Sequence, residues 1–371
     1  MDFWIYNYLG VALLSIILAG IIIPKILLIA FRKNLFDKPD PRKIHHGTVP
    51  RLGGFAFTPV ICFAIALLSG ICNVLSPDGF TYGMSFSPLT VSMGFCGLLS
   101  LYLVGMADDL VGVRYSAKFA AEIICGIFLI AGGLELDNLG GIFGIYDIPW
   151  WAAWPLTLLT IVFVINAINL IDGLDGLASG LSAITFIIYG IVLAAMHEYF
   201  YATVAFAALG VLVPFFYYNV FGNVVRQRKI FMGDTGSLTI GVLIVFLGLR
   251  LLDSSAEGCD IQMPSIMTVI LSPLIIPCFD VVRVFLYRIR HHANPFLPDC
   301  NHIHHRLLDA GFMPHAAMIT IVSASAALCI MNTALSFVMN INFILLIDIA
   351  LMCVWNEWLH RRGAAKGVVR G

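Results

Sequence analysis

The chain has 371 residues, of which 60% are hydrophobic and 12% are charged, and its mean hydropathy is +0.94. These proportions exclude an ordinary water-soluble domain, in which about a quarter of the residues are charged. They predict a polytopic membrane protein. The net charge is −1, and we expect no nucleic-acid partner.

Apolar runs long enough to cross about 30 Å of hydrocarbon recur along the chain. The first, near Trp4, has no basic region before it and no small-residue cleavage site after it, so we expect a retained span and not a signal peptide. The other runs begin near Leu52, Pro88, Ala117, Ile148, Leu177, Tyr199, Ser237, Pro264, Pro314 and Ile341. The sequence therefore predicts an all-α protein with about eleven transmembrane helices.

The basic residues are distributed unevenly between the loops. Of the 21 Lys and Arg residues, 19 lie in odd-numbered loops or in the tail after His360. The positive-inside rule then predicts an N-terminus outside the cell and a cytoplasmic C-terminus. No linker interrupts the spans, so we predict one membrane domain over 1–371, with cytoplasmic loops at 32–51, 106–118, 168–177, 222–236 and 287–313.

Asp108 and Asp109 are adjacent at the cytoplasmic end of the third apolar run. Two neighbouring carboxylates repel each other unless a cation or a basic group offsets their charge. Lys118 could do so, as could a divalent metal ion. The alternative is a pair that only caps and solvates a loop.

Four amide and carboxylate side chains recur at every third residue of the next polar segment: Asn166, Asn169, Asp172 and Asp175. Residues three apart are neighbours on a helix, and Gly173 and Gly176 allow the backbone to bend or to approach a ligand closely. Hard oxygen ligands suit Mg²⁺ better than zinc, and Mg²⁺ usually keeps several waters and substrate phosphates. A plain helix and turn would not explain two uncompensated Asp residues in a loop without Lys or Arg, so a magnesium site is the favoured interpretation.

The segment from Phe231 to Ser237 reads Phe-Met-Gly-Asp-Thr-Gly-Ser. It places Asp234 beside glycines at a predicted helix start, where Thr235 or Ser237 could cap the helix. Alone, it is equally compatible with an ordinary capping box. The Phe231 ring offers a flat face for a nucleobase, although an apolar membrane anchor is an equally good interpretation.

The segment from Tyr287 to Arg306 is the longest polar cytoplasmic stretch after the first loop. Guanidinium and imidazole groups offer donors that match phosphate oxygens, which predicts an anion-binding loop. Its candidate residues are Arg288, His302, His304, His305 and Arg306. A zinc site and a solvated or structural histidine cluster are the alternatives, and the Cys/His spacing of a structural zinc finger is absent from the sequence.

Five stretches together carry a resemblance to a known family. They are Asp37-Lys-Pro with Arg42-Lys43, His45, Pro50 and Gly53-Gly54; Asp108-Asp109 with Lys118; Asn166 through Leu177; Phe231 through Ser237; and Pro295 through Pro298-Asp299 to His302-Ile-His-His305. In this order they resemble the polyprenyl-phosphate N-acetylhexosamine-1-phosphate transferase superfamily, in particular its WecA-like and TagO-like branch and, more distantly, the MraY translocase. The His-Ile-His-His form is similar to that of the N-acetylglucosamine-type enzymes.

The resemblance implies a reaction. A sugar 1-phosphate would pass from a UDP-N-acetylhexosamine, with UDP-N-acetylglucosamine the best candidate, to undecaprenyl phosphate, and UMP would be released. The resemblance also implies a bacterial cytoplasmic membrane location, an Mg²⁺ cofactor for which Mn²⁺ could substitute, ten or eleven helices, and a homodimer. Mg²⁺ together with Arg and His groups would offset the repulsion between two phosphate-bearing substrates.

The resemblance further implies roles for individual residues. Asp234 is the first candidate Mg²⁺ ligand, with Asp109 and Asp172 beside it. The implied catalytic residues are Asp108, Asp109, Asp172, Asp175 and Asp234. The implied substrate-binding residues are Lys118, Asn166, Asn169, Asn219, Phe231, Arg288, His302, His304, His305 and Arg306, together with Lys43 and His45, for which the residues themselves indicate no role.

Two details follow from physical chemistry. Glu122, four residues after Lys118, could pair with that lysine and fix its orientation. A phosphate monoester has a second pKa of about 6, whereas the ordinary pKa of an Asp is about 3.9, so an Asp is a poor base for the acceptor. We therefore expect direct attack by the lipid phosphate, with Asp108 or Asp109 positioning it; a two-step route through an aspartyl phosphate is the alternative.

A polytopic transporter is the rival class. A transporter would place its ionisable groups near mid-span, whereas here only a few, such as Lys25, Glu122 and Asp280, do so. The same reaction with another UDP-N-acetylhexosamine is the nearer alternative.

Overall fold

The structure is a computed structural model that describes residues 2–35, 49–75, 86–256, 265–292 and 301–366. Helices dominate this part of the chain. They are α1 (Asp2–Lys33), α2 (Phe57–Leu75), α3 (Pro88–Val111), α4 (Tyr115–Ala131), α5 (Trp150–Ile171), α6 (Leu177–Ala195), α7 (Tyr199–Val220), α8 (Gly233–Ala256), α9 (Ile266–Leu271), α10 (Ile275–Arg290), α11 (Ile303–Asp309), α12 (Pro314–Leu335) and α13 (Ile341–Ala365). Short 3₁₀ turns lie at Gly53–Ala56 and Ser272–Leu274, and the second joins α9 to α10.

Ten segments of the described chain are long and apolar enough to cross a membrane, with Ile266–Arg290 counted as one. The remaining predicted run, near Ala117, forms α4, which has 17 residues. At a rise of about 1.5 Å per residue α4 is only about 25 Å long, shorter than the hydrocarbon core of about 30 Å. The prediction of an all-α polytopic membrane protein is confirmed.

Local signals begin several of these helices where the sequence indicates. Ser87 caps α3, because its Oγ accepts a hydrogen bond of 3.3 Å from the Thr90 backbone N–H, and Pro88 occupies the first helical turn. Pro149 directly precedes α5, and Pro314 opens α12. These helix starts follow from local chemistry alone.

A two-stranded antiparallel hairpin lies between α4 and α5, where the sequence analysis predicts no strand. Its strands are β1 (Asn138–Ile142) and β2 (Ile145–Asp147). Asn342, at the start of α13, accepts a hydrogen bond of 2.7 Å from the Phe143 backbone N–H and donates one of 2.8 Å to the Gly141 carbonyl oxygen. Contacts with a distant helix therefore hold the hairpin in place. Its strands are short and contain glycine, so their sequence gives only a weak indication of a β-strand.

Helix α8 lies at the centre of the bundle and is buried almost from end to end. Between its polar ends its sequence is apolar on almost all sides, as expected for a helix surrounded by other helices. It packs against α3, α5 and α6, and Gly241 allows the backbone of α5 at Ile165 to come close. Asp234 lies in the first turn of α8. Its carboxylate is therefore attached to the most deeply buried of the candidate spans in the described chain.

The polar segments gather at one end of the bundle, which we call the site face. Hydrogen bonds bring together the ends of α3, α5 and α7 and the starts of α4, α6 and α8 there. The other end, the opposite face, carries the hairpin and a buried ion pair of 2.5 Å between Arg250 of α8 and Glu198 at the start of α7.

Candidate active site

Asp234 is the centre of the polar cluster at the site face. Its Oδ1 accepts a hydrogen bond of 2.7 Å from Asn169 Nδ2, and its Oδ2 forms an ion pair of 2.9 Å with Lys118 Nζ. The same ammonium group lies 3.0 Å from Asp108 Oδ2. Lys118 therefore bridges two carboxylates from different helices, and it offsets the charge of Asp108 as the sequence analysis expects.

Asp109 points in another direction, towards the N-terminus of α8. Its Oδ1 accepts from the Asp234 backbone N–H at 2.9 Å, and its Oδ2 accepts from the backbone N–H and the hydroxyl of Thr235 at 2.9 and 2.6 Å. The first N–H groups of a helix have no partner inside the helix, and the helix dipole favours a negative charge there. Asp109 thus satisfies two of these groups and fixes the backbone that carries Asp234.

The capping expected from Thr235 or Ser237 is wrong. Asp109 of α3 accepts from the first N–H groups of α8, whereas the Thr235 hydroxyl donates to Asp109. The Ser237 hydroxyl donates to the Gly233 carbonyl oxygen at 3.2 Å and accepts from Asn169 Nδ2 at 2.7 Å. Gly233 has a φ of +74°, and a Cβ there would meet the Asp109 carboxylate at 2.5 Å. Glycine at this position therefore allows the interhelix cap to form.

Lys118 and Glu122 do not pair, so this expectation is also wrong. Asn166 Nδ2 instead donates to Glu122 Oε2 at 2.5 Å and to the Val162 carbonyl oxygen at 2.9 Å. Lys118 has two carboxylate partners outside its own helix, and these outweigh a neighbour one turn away. Asn166 consequently connects α5 to α4, while Asn169, three residues later, contacts Asp234.

Asn219 holds the loop between α5 and α6 in place. This buried side chain accepts a hydrogen bond of 2.6 Å from the Gly176 backbone N–H and donates one of 2.8 Å to the Ile230 carbonyl oxygen. Both polar atoms of the Asn219 amide are therefore used to join the loop to the segment before Phe231. Asn219 therefore has a structural role, because it links two parts of the site.

Asp175 of this loop is compensated by a basic residue from the next connection. Lys229 Nζ lies 2.5 Å from Asp175 Oδ2 and 5.9 Å from the centroid of the Phe231 ring. The sequence analysis treats the two aspartates of this loop as uncompensated, because it considers only basic residues within the loop. For Asp175 this interpretation is wrong, and Lys229 is a site residue that it misses.

Asp172 is half-buried at the end of α5. Burial, followed by the charges of Asp234 and Asp175, raises its pKa to about 7, although Arg51 acts in the opposite direction. An excess of negative charge therefore surrounds Asp172. Such a position favours the binding of a cation.

The chain before α2 runs beside the segment before α8. The Phe231 backbone N–H donates to the Pro50 carbonyl oxygen at 2.9 Å, and the Gly53 and Gly54 N–H groups donate to the carbonyl oxygens of Phe231 and Met232 at 3.0 and 2.9 Å. We call residues 50–54 the strap. It accounts for the Pro50 and Gly53-Gly54 part of the sequence motif, whereas Lys43 and His45 lie outside the described residues.

The histidines approach the same cluster from α11. His304 is buried, and a Cβ on Gly173 would collide with its ring. The rings of His302 and His304 are parallel, with centroids 5.8 Å apart, and the centroid of the His305 ring lies 4.3 Å from that of His304. The histidine cluster and the Asp172 loop are thus brought together, as expected for parts of one site.

The other predicted anion-binding residues take different positions. Arg306 Nη1 donates a hydrogen bond of 2.7 Å to Asn356 Oδ1 of α13, and Arg288 is largely buried in the last turn of α10. His302 Nδ1 lies 2.8 Å from Asp280 Oδ2. Asp280 is a residue of this cluster that the sequence analysis misses, since it assigns Asp280 only to mid-span. Its i, i+3 spacing from Arg283 in α10 is the signal that could have found it.

Among the described residues, no three His, Cys, Asp or Glu side chains stand close enough to form a metal centre built from protein ligands alone. Mg²⁺ does not require one, because it usually takes one or two carboxylates together with waters and substrate phosphates. Asp172, which lies among the negative charges of Asp234 and Asp175, fits that mode of binding, with Asp234 as a second carboxylate. The oxygens of Asp234 contact Asn169 and Lys118, and those of Asp109 accept hydrogen bonds from the start of α8, so a bound ion would share these oxygens with their present partners.

An apolar helix bundle with carboxylates, a bridging lysine and histidines at one end indicates a polytopic membrane enzyme whose charged site lies at one end of its helices. A family model described as glycosyl transferase family 4 matches residues 91–252, which contain all five of the predicted catalytic aspartates. Relatives named undecaprenyl-phosphate alpha-N-acetylglucosaminyl 1-phosphate transferase were also found in several bacteria. The relative from Pasteurella multocida is 33% identical over 305 residues, which cover 81% of this chain and 78% of the relative.

The relative of the same name from Yersinia pestis is 30% identical over 317 residues, or 82% of this chain and 78% of the relative. That from Escherichia coli (strain K12) is 29% identical over 350 residues, or 89% and 86%. The chain belongs to glycosyl transferase family 4. This membership confirms the family resemblance drawn from the five sequence stretches.

Proposed function

We propose that this protein transfers N-acetylglucosamine 1-phosphate from UDP-N-acetylglucosamine to undecaprenyl phosphate and so begins the synthesis of a lipid-linked cell-surface glycan. The names of the relatives support the reaction. The observation that supports it most strongly is the ammonium group of Lys118, held between Asp108 and Asp234 at one end of an apolar bundle. This arrangement would offer a fixed cation to the phosphate group at the end of a lipid acceptor.

The site face would lie in the cytoplasm of a bacterium. The basic residues of the connections at this face, including Arg51, Arg114 and Arg226, support this orientation through the positive-inside rule. UDP-sugars would then reach the site from the cytoplasm, and the polyprenyl chain would reach it from the membrane. The two substrates therefore approach the same cluster from different phases.

The reaction would be a single displacement. A phosphate oxygen of the lipid attacks the β-phosphorus of the UDP-sugar, the bond from that phosphorus to the bridging oxygen breaks, and UMP leaves with this oxygen. A phosphate monoester is mostly a dianion at neutral pH, so the attacking oxygen needs no general base. Lys118 would hold a phosphate oxygen in place, and Asp108 would orient Lys118. A two-step route through an aspartyl phosphate is the alternative.

Mg²⁺, or Mn²⁺ in its place, would be held by Asp234 and Asp172 together with substrate phosphates. When bound, the ion would offset the charge of the diphosphate. Asp109 is expected from the sequence as a third ligand, and this stays a prediction. Its three hydrogen bonds to the start of α8 support another role, in which Asp109 positions Asp234.

The remaining residues would bind the nucleotide sugar. Phe231 would stack on the uracil, and the histidine cluster beside Gly173 would contact the diphosphate or the sugar. Burial and the neighbouring His305 and His302 lower the pKa of His304 to about 3, so a neutral His304 would contact the substrate through hydrogen bonds and not through a positive charge. A homodimer, implied by the family resemblance, stays a prediction.

The test is the conversion of UDP-N-acetylglucosamine and undecaprenyl phosphate to lipid-linked sugar and UMP by the purified protein, with Mg²⁺ or with EDTA. We expect Mg²⁺-dependent product and a loss of about 10²- to 10³-fold in Asp234→Asn, which is the usual cost of removing one stabilising group in such sites. Asp147→Asn, at an exposed residue of the hairpin on the opposite face, is the matched control and should keep full activity. Failure with every UDP-N-acetylhexosamine would refute the proposal and favour a transporter.

A further inference from the structure

Asp280 makes three polar contacts although it is almost fully buried in α10, with 1% of its surface exposed. Its Oδ2 lies 2.8 Å from His302 Nδ1. Its Oδ1 accepts hydrogen bonds from the Ile303 backbone N–H at 2.9 Å and from Arg283 Nη2 at 2.7 Å. Arg283 also donates to the Asn301 carbonyl oxygen. One buried carboxylate therefore binds the His302 ring directly and, with Arg283, holds the residues on both sides of it.

These contacts determine which nitrogen of His302 carries a proton. The guanidinium of Arg283 lies 2.7 Å from Oδ1 of Asp280 and favours the charged form of this carboxyl group, and an ionised carboxylate can only accept. His302 Nδ1 must then be the donor to Oδ2. Histidines that bind a ligand through one ring nitrogen often donate the N–H of the other nitrogen to a carboxylate. That carboxylate fixes the tautomer and the orientation of the ring.

His302 in turn lies within the site described above. Its ring is parallel to that of His304, with an angle of 2° between the planes. The His304 ring packs against Gly173, which is adjacent to Asp172. A rotation of the His302 ring would therefore disturb the surface that the histidine cluster presents to the Asp172 loop.

We propose that Asp280 is a positioning residue for the transfer reaction, which acts on the nucleotide sugar through His302. By holding Nδ1–H it fixes the ring and leaves Nε2 as the nitrogen available to the substrate. Asp280 itself touches no substrate, because it is buried behind His302. This inference rests on the proposed function, since it requires that the histidine cluster bind the nucleotide sugar.

Asp280→Asn is the informative substitution because it keeps the size of the side chain. The Asn oxygen can still accept from Ile303 and Arg283, but the amide N–H₂ then faces His302 Nδ1 and can only donate. The ring must rotate or move its proton to Nε2. We expect kcat/KM for UDP-N-acetylglucosamine to fall by about 10- to 100-fold, as for other residues that orient a ligating histidine.

A double-mutant cycle with His302→Gln separates positioning from a general structural role. If Asp280 acts through His302, Asp280→Asn causes no further loss of kcat/KM in the His302→Gln protein. Independent losses that multiply in the double variant would overturn the proposal. Asp348→Asn is the matched control, because Asp348 is equally buried and is hydrogen-bonded to Asn332 at 2.8 Å; its kcat/KM should stay within about twofold of wild type.

The thermal midpoint of each variant in detergent reports on folding. If Asp280→Asn does not fold, Asp280→Glu replaces it in the same cycle, because Glu keeps the carboxylate and displaces it by one methylene. The loss in Asp280→Glu must also vanish in the His302→Gln background, and a persistent loss would overturn the proposal. If the wild-type protein does not turn over any UDP-N-acetylhexosamine, the proposed function fails, whereas an active wild type with multiplying losses refutes only the role of Asp280.

Discussion

At the scale of single residues, each charged group of the site has several possible partners, and the partner with which it pairs determines the geometry of the site. Lys118 has Glu122 one helical turn away, yet it pairs with Asp108 and Asp234. Asp108 and Asp109 are neighbours in the sequence, yet one contacts Lys118 and the other the start of α8. Each group takes the partner that offsets the larger unpaired charge or satisfies unpaired backbone donors.

His304 makes the stability of the protein depend on pH. Its pKa is about 3 in the folded protein and about 6.5 in an unfolded chain. Because the folded pKa is lowered, the unfolded state takes up a proton first as the pH falls, and stability is lost between about pH 6.5 and pH 3. Between pH 7 and pH 5 the loss from this single group is about 2 kcal/mol.

The measurement compares the thermal midpoint of the wild type with that of His304→Gln, at pH 7 and at pH 5. Gln does not titrate, so we expect the wild type to lose more of its stability than the variant between the two pH values. Equal decreases in both proteins would show that the pKa of His304 is not lowered in the folded state.

The site residues can be listed from the sequence, whereas their pairing cannot. The spacing of Asn169 and Asp172 and the Met-Gly-Asp234 segment indicate parts of one site, and Asn169 does contact Asp234. The expected Lys118–Glu122 pair is wrong, because i, i+4 spacing describes one helix and says nothing of carboxylates on other helices. Asp280 escapes the sequence analysis for a similar reason, since its partner His302 lies 22 residues further along the chain.

At the scale of secondary-structure elements, the site depends on glycines that let two backbones meet. The strap and the start of α8 are so close that a Cβ on Gly54 would collide with the backbone of Gly236. The collision involves main-chain atoms of α8, so a side-chain rearrangement cannot relieve it. Any larger residue at position 54 must move the strap away from Phe231 and Met232.

Gly54→Ala should therefore lower both activity and stability. We expect overpacking to decrease the free energy of unfolding by about 1–3 kcal/mol. We also expect kcat/KM to fall, because the hydrogen bonds between the strap and the Phe231 backbone would be displaced. Gly70→Ala is the control, because Gly70 lies in α2 and a Cβ added there would meet no atom within 4 Å. It should be neutral or slightly stabilising, since Ala favours a helix over Gly. If the two variants behave alike, the strap does not depend on a close backbone contact.

The elements themselves are predicted more completely than the contacts between them. Apolar length identifies the spans, and the start of α3 at Pro88 follows from its proline and the preceding serine. The hairpin at Asn138–Asp147 escapes prediction because Asn342, which holds it, is about 200 residues away, and the pattern of its strands is interrupted by Gly140 and Gly141.

At the scale of the whole molecule, two faces of the bundle differ in charge and in chemistry. The site face carries the aspartates and histidines of the candidate site and most of the basic residues of the described chain, whereas the opposite face carries the hairpin and the aromatic residues at the start of α5. Exposed aromatic side chains such as Trp150 and Trp151 are typical of a membrane interface. The two faces are therefore suited to different compartments.

This asymmetry predicts the result of cysteine labelling in intact cells. Val225, on the site face, is 92% exposed, and Phe143, at the tip of the hairpin, is 87% exposed. In a background without the nine native cysteines, a membrane-impermeant maleimide should label Phe143→Cys and spare Val225→Cys. Both variants should react after permeabilisation, which controls for accessibility. Labelling of Val225→Cys alone in intact cells would reverse the proposed orientation.

The short helix α4 also bears on the lipid that would surround it. A helix of 17 residues laid across the membrane would fall about 5 Å short of an average hydrocarbon core, and such a hydrophobic mismatch is relieved by local thinning of the bilayer. Lys118 lies in the first turn of this helix, so the headgroup layer would be drawn inwards beside it. A lipid that carries its phosphate at the end of a long isoprenoid tail would then meet the ammonium group without leaving the leaflet.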